Sequence, residues 1–371
     1  MSVCLRIAYD GTDFHGYARQ TASDGASGRA PSERSVRTVQ AVIESALARL
    51  YKQPLTIRAA SRTDAGVHAR GQLVAFDAPF VIPVVGLVSG LNAILPADVS
   101  VLAAFERSAA GGGPFQPRYE NDGKHYRYRI RCTRVRDPIR RRDEWHLARA
   151  LNVDEMRNAA LRLVGRHDFA SFRAADCQAK TTVRRIHTIT CSSKAAAVGP
   201  SSDPGGLDAG DPATAVDLLV LDIIGEAFLK NMVRIMVGTL VDVGRGKRSA
   251  ESVVELLHRP DRTLAGMTAP AAGLTLVEVL LRTPNVSAGP ISSGDAGSAG
   301  SAGSTGSGGH EIGLSTAAAT GRAASLRTTQ IERIAALAEQ GRGTQREGEH
   351  RTDARDNGEE GHEEVLSAGP T

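Results

Sequence analysis

Val3, Leu5, Ile7 and Tyr9 alternate with polar or small residues, the period of a half-buried β-strand. A polar stretch containing Gly and Ser, residues 21–35, separates this strand from Val39, Ile43, Ala46 or Leu47, and Leu50, which recur at helical spacing. Residues 55–60 and 72–77 read as two further strands, with residues 62–68 as the loop between them. Residues 84–95 read as a short helix, although Pro83, Gly86 and Gly90 work against it. Residues 98–105 close the half as a strand, giving the order β-α-β-β-α-β. The second half repeats that order. Residues 124–131 alternate, with Tyr126, Tyr128 and Ile130 on one face and His125, Arg127, Arg129 and Arg131 on the other. Residues 153–164 form an amphipathic helix with Asn152 as N-cap and Gly165 after its end. Strands at 182–192 and 216–223 follow, then a helix at 228–243 stopped by Gly244 and Gly246, a short helix at 251–258, and a last strand at 274–281.

Two successive units of this order predict an α+β fold of two tandem ferredoxin-like, RRM-like βαββαβ subdomains with mainly antiparallel sheets. Residues 1–107 form the first and 108–285 the second, each offering a sheet face to a ligand. Residues 21–35 and 194–214 read as inserts dispensable to the core. Residues 287–307 are nearly all Gly, Ser and Ala, and no aromatic residue follows them, so residues 286–371 are expected to be a flexible, mostly disordered tail. Within it, Thr329 and Glu332 have the spacing of a capping box for a short helix carrying Ile331, Ile334 and Leu337.

Charge sharpens the picture. The chain holds 45 Lys plus Arg and 41 Asp plus Glu; from Pro284 onward there are seven Arg, no Lys and twelve acids. Taking these away leaves 38 basic and 29 acidic side chains, so the body carries a net of +9 against a formal +4 for the whole chain. A positive body favours a polyanionic partner, because neutralised phosphates release condensed counterions. Cys4, Cys132, Cys177 and Cys191 form no CxxC or Cys/His pair, which argues against a structural zinc site or a disulfide framework and fits a reducing compartment. No signal peptide is readable, and no stretch approaches the roughly 20 apolar residues of a membrane span. The expected location is the cytoplasm.

Asp64 falls in the loop between two strands, next to Arg62 and followed by Ala65-Gly66. Small residues after a carboxylate let a bulky ligand approach the backbone, and a nearby guanidinium is expected to lower the carboxyl pKa and keep it ionised. A carboxylate so placed suits nucleophilic catalysis; an Asp in a turn equally suits a backbone cap. Tyr126 suits either a core position or a stacking platform. Arg127, Arg129, Arg131, Arg134, Arg136 and Arg140 to Arg142 form a basic run that is either a solvated face or a phosphate contact, and Arg173, Lys180, Arg184 and Arg185 suit the same contact. His68 and His167 have no metal-ligand partners at useful spacing and read as structural.

The segment Arg62-Thr63-Asp64-Ala65-Gly66-Val67-His68 resembles the signature of the tRNA pseudouridine synthase A family. Further segments match in the same order: Tyr9-Asp10-Gly11-Thr12-Asp13-Phe14-His15-Gly16-Tyr17, Arg37-Thr38-Val39-Gln40, Leu91-Asn92-Ala93-Ile94-Leu95-Pro96 and Lys124-His125-Tyr126-Arg127-Tyr128. They continue with His167-Asp168-Phe169-Ala170-Ser171-Phe172-Arg173, Asn231-Met232-Val233-Arg234-Ile235-Met236-Val237-Gly238 and Ala271-Ala272-Gly273-Leu274. Ser61 stands where the family usually has glycine, and Tyr17 where tryptophan is common.

The resemblance implies isomerisation of uridine to pseudouridine in the tRNA anticodon stem-loop, at tRNA positions 38, 39 and 40, by a homodimer; no cofactor or metal is expected, since the isomerisation is redox-neutral and no Gly-rich phosphate loop is present. It makes Asp64 the nucleophile. Tyr126 becomes the residue that stacks on the uracil and takes the C5 proton, and Arg234 the partner that orients and ionises Asp64. Arg62 then fills the gap left by the extruded base, and Arg127 and Arg173 are candidates for substrate contact. Two alternatives stay open: a synthase for uridines elsewhere in RNA, and a tRNA-binding module without catalysis.

Overall fold

The computed structural model describes residues 1–19, 36–194 and 218–282. The stretch at 21–35, nearly all of the second insert and the tail from 286, with the helix expected after Thr329, lie outside the described residues.

In chain order the elements of the first half are β1 (Ser2–Tyr9), α1 (Val39–Tyr51), β2 (Arg58–Ala59), β3 (His68–Phe76), α2 (Val84–Ile94) and β4 (Val99–Arg107). The second half has β5 (Asn121–Cys132), β6 (Trp145–Leu147), α3 (Val153–Leu161), β7 (Gly165–Asp168), β8 (Val183–Lys194), β9 (Leu218–Gly225), α4 (Met232–Gly244), α5 (Glu251–His258) and β10 (Leu274–Leu281). Single helical turns occur at Arg140–Arg142, Ala170–Phe172 and Ala271–Gly273. The fold is α+β, and the ten strands of the described residues join one sheet in the order β4-β1-β3-β10-β5-β9-β8-β7, with β2 on β3 and β6 on β5. Pairing is antiparallel except between β3 and β10 and between β5 and β6.

Local chemistry accounts for the element ends. Thr38 caps α1 by accepting from Ala41 N–H, and Val39, Ile43, Ala46 and Leu47 bury the face that the spacing predicted. Asn152 caps α3 by accepting from Glu155 N–H. β2 is shorter than expected because Ile57 N–H is taken by the Glu44 side chain of α1, 3.2 Å away, rather than by a strand. α4 begins at Met232, not at 228, because Asn231 is held in the left-handed region at φ 60°. β6 and β7 were not foreseen; at three and four residues they are too short to show a period. β3 starts at His68, earlier than expected, because the chain becomes extended directly after a tight turn.

The parallel contact of β3 with β10 seats Thr275 opposite His68 and Leu276 opposite Ala69. It requires Gly71, since a β-carbon there would lie 2.4 Å from the Val277 carbonyl oxygen. A single apolar core runs beneath the sheet from Leu5, Ile7 and Leu47 to Tyr128, Leu221 and the almost wholly buried α4. This seam brings the loop of the first half against α4 and the Ala271–Gly273 turn of the second.

Candidate active site

The loop from Ser61 to Val67 is fastened on all sides. Asp64 carbonyl accepts from Val67 N–H at 3.2 Å, and Gly66 sits at φ +78° between them, the signature of a type II turn. A β-carbon at Gly66 would also come within 3.0 Å of the Ala271 Cβ. Tyr17 N–H donates to the Thr63 carbonyl, Gly66 N–H to the Phe14 carbonyl, and the Tyr9 and Thr63 hydroxyls meet at 2.7 Å. The segment from Tyr9 to Tyr17 therefore serves as a cradle for the loop. His68 completes it, accepting from Gly11 N–H at Nδ1 (3.0 Å), so that Nε2 donates to the Arg142 carbonyl at 2.7 Å. That is a structural role, as the sequence suggested.

Asp64 Oδ2 lies 3.8 Å from the Arg234 guanidinium, with the two side chains 23% and 17% exposed. Arg234 is itself fixed: Nε donates to the Ala269 carbonyl at 2.7 Å and a terminal nitrogen to Asn231 Oδ1 at 3.1 Å. Burial raises the Asp64 carboxyl above its usual range, opposed by the positive charges of Arg234 and Lys230 and by the Asn231 backbone N–H. The expectation of a lowered pKa is thus corrected, because desolvation outweighs the guanidinium. Lys230, unremarkable in the sequence, pairs with the exposed Asp176 at 2.5 Å.

Tyr126, on β5, is 6% exposed. Its hydroxyl lies 2.8 Å from Ser61 Oγ, and its ring meets Phe228 edge-on with centroids 5.1 Å apart. Burial, with the Asp64 charge adding to it and the Ser61 hydrogen bond opposing it, pushes the phenol up to about 12, so it is protonated at neutral pH. Arg234 is thus brought beside Asp64, and Tyr126 against Ser61 at the head of the same loop. Arg62 is exposed on the same loop. Arg173 is half-buried in a segment joined to the site through Ala174 N–H, which donates to the Lys230 carbonyl.

Arg127 lies outside this cluster. It grips Asp222 with two nitrogens, at 2.9 and 3.0 Å, and His125 contacts the same carboxylate. Arg129 and Arg131 on the same face pair with Asp143 and Glu144. A cavity of about 410 Å³ opens beside His68, Arg70, Arg129 and Thr275, and Asp64 does not line it. Its acids Asp10, Asp98 and Asp143 are already paired with Arg142, Arg37 and Arg129. A buried carboxylate beside a fixed guanidinium and an aromatic ring can supply a nucleophile, a counter-charge and a platform for a planar base. Among the described residues, no group of three or more His, Cys, Asp or Glu is placed to hold a metal ion.

The model of a family described as tRNA pseudouridine synthase matches residues 159–280. The chain is 44% identical over 278 residues to tRNA pseudouridine synthase A of Geobacter sulfurreducens, an alignment covering 75% of this chain and 98% of the relative. It is 42% identical over 278 residues to the protein of that name from Pelobacter propionicus, with the same coverage. With that of Myxococcus xanthus it shares 42% identity over 292 residues, 79% of this chain and 96% of the relative. The chain belongs to the tRNA pseudouridine synthase A family.

Proposed function

We propose that this chain isomerises uridine to pseudouridine in tRNA, with Asp64 as the nucleophile. The observation that carries the assignment is the arrival of Arg234 beside Asp64 and of Tyr126 against Ser61 on the same loop, in a chain of this family. The reaction breaks the N1–C1′ bond of uridine, turns the uracil and joins it to the sugar through C5; C5 loses a proton and N1 gains one. Attack by the Asp64 carboxylate divides this exchange into two easier steps. Arg234, tied to Ala269 and Asn231, holds the carboxylate in place and opposes the burial that favours its protonated form.

Tyr126 offers its ring to the uracil. Because it is 6% exposed, a uracil reaching it first displaces a neighbouring side chain. Its phenol keeps its proton at neutral pH, which favours stacking and hydrogen bonding over the removal of the C5 proton. Arg62, exposed at the mouth of the loop, takes the space of the extruded base in the stem, and Arg173 binds a phosphate nearby.

The substrate site is the anticodon stem-loop, at tRNA positions 38, 39 and 40, and the protein acts as a homodimer, both supported by the sequence resemblance; its cysteines, spaced for neither zinc nor disulfides, support a cytoplasmic location. Two tandem ferredoxin-like subdomains, residues 1–107 and 108–285, describe the architecture. The local strand orders β4-β1-β3-β2 and β10-β5-β9-β8 support that reading. The test is to incubate unmodified tRNA with the protein and map pseudouridine. Modification at 38 to 40 by the wild type, lost in Asp64→Asn, is expected. Modification confined to other positions favours the broader synthase reading, and its absence favours a tRNA-binding module.

A further inference from the structure

Gln72, on β3, is fully buried, and its carboxamide takes up the backbone of Ser61. Oε1 accepts from Ser61 N–H and Leu73 N–H, each at 3.2 Å, while Nε2 donates to the Ser61 carbonyl at 2.7 Å. Both backbone polar groups of Ser61 are thereby held by one side chain rooted in the sheet. The backbone that carries Ser61 Oγ is consequently tied to β3. That hydroxyl reaches across to Tyr126 on β5, 2.8 Å away. Tyr126 is paired with Leu276 and Ile223, and so belongs to the second half of the sheet, whereas Ser61 leads into the loop bearing Asp64.

We propose that Ser61, standing where the family usually has glycine, is a positioning residue particular to this chain: on a backbone clamped by Gln72, its hydroxyl holds the Tyr126 phenol against the loop of Asp64 across the junction of the two halves. The inference rests on the roles given above to Asp64 and Tyr126. A buried phenol that lost this partner would keep its ring in the core but lose the directional bond that orients it. The ring that receives the uracil and the carboxylate that attacks the nucleotide would then vary independently. Because reacting groups must be aligned closely for attack, that freedom reduces the rate of the step more than the affinity for tRNA.

The experiment measures single-turnover isomerisation and tRNA affinity for wild type, Ser61→Ala and Ser61→Thr, with thermal melting of each. Ser61→Ala is expected to lower the single-turnover rate about threefold to tenfold, the worth of one neutral hydrogen bond, with tRNA affinity unchanged. Ser61→Thr, which keeps a hydroxyl, is expected to recover most of that rate. Ala and wild-type proteins turning over at equal rates would overturn the proposal. So would a loss confined to tRNA affinity, or a Thr variant as slow as Ala with the melting temperature of the wild type. If the wild type forms no pseudouridine, the underlying function fails, and that result is distinct from any of these.

Discussion

Asp64 and Arg234 stand 3.8 Å apart, close enough for the guanidinium to oppose the effect of burial without forming a tight pair. The balance gives a direction for pH dependence. The carboxylate must be ionised to attack, and its pKa is raised, so the rate falls with decreasing pH at a point above the ordinary aspartate range near ~3.9. Arg234→Gln removes the opposing charge and should move that acid limb to higher pH while lowering the maximal rate. The check is the rate–pH profile of both proteins, and a limb that stays in place would show that Arg234 does not set the ionisation of Asp64. At this scale the motif made Asp64, Tyr126 and Arg234 legible as candidates. Gln72 and Lys230 were not, because a polar residue inside an apolar strand and a lysine before a helix look ordinary until their burial or neighbours are seen. Ser61 was visible only as a departure from the family's usual glycine.

Strand β5 shows how alternation divides labour within an element. Tyr126, Tyr128 and Ile130 share one face, as their spacing predicted, and enter the core, while His125, Arg127, Arg129 and Arg131 face carboxylates. The sequence showed a basic run but not the acids that meet it, which arrive from β9 and from the segment after Arg140–Arg142. Asp222 illustrates the consequence. Burial pushes its carboxyl up, but hydrogen bonds and charge from His125 and Arg127 outweigh it, and the pKa ends below the usual value. A folded-state pKa below the unfolded one contributes stability that is present above the unfolded pKa and lost as pH falls through the folded one. Asp222→Asn should therefore destabilise the protein at neutral pH by about 3 kcal/mol, leaving two basic groups with a neutral partner. Its penalty should shrink toward pH 3 in denaturant titrations. A constant penalty across that range would show that Asp222 is held by shape rather than by charge. Longer elements such as α1 and β10 were readable from period alone, whereas β6 and β7 depend on partners distant in sequence.

In the whole molecule, the order of the longer strands and helices could be read along the chain, but their union into one sheet could not. The parallel seam joins His68 and Ala69 to Thr275 and Leu276, residues with no shared periodicity, and it is this seam that brings Asp64 against α4. The alignments place the length of the curated relatives within about three quarters of this chain: 278 aligned residues take up 98% of the Geobacter sulfurreducens protein. The activity is accordingly expected from the sheet and its helices. The most direct measurement is release of tritium to water from tRNA labelled at C5 of uridine, since each isomerisation expels that hydrogen. The account predicts release by the wild-type protein and none above background by Asp64→Asn of unchanged fold. Release by Asp64→Asn at the wild-type rate would contradict it.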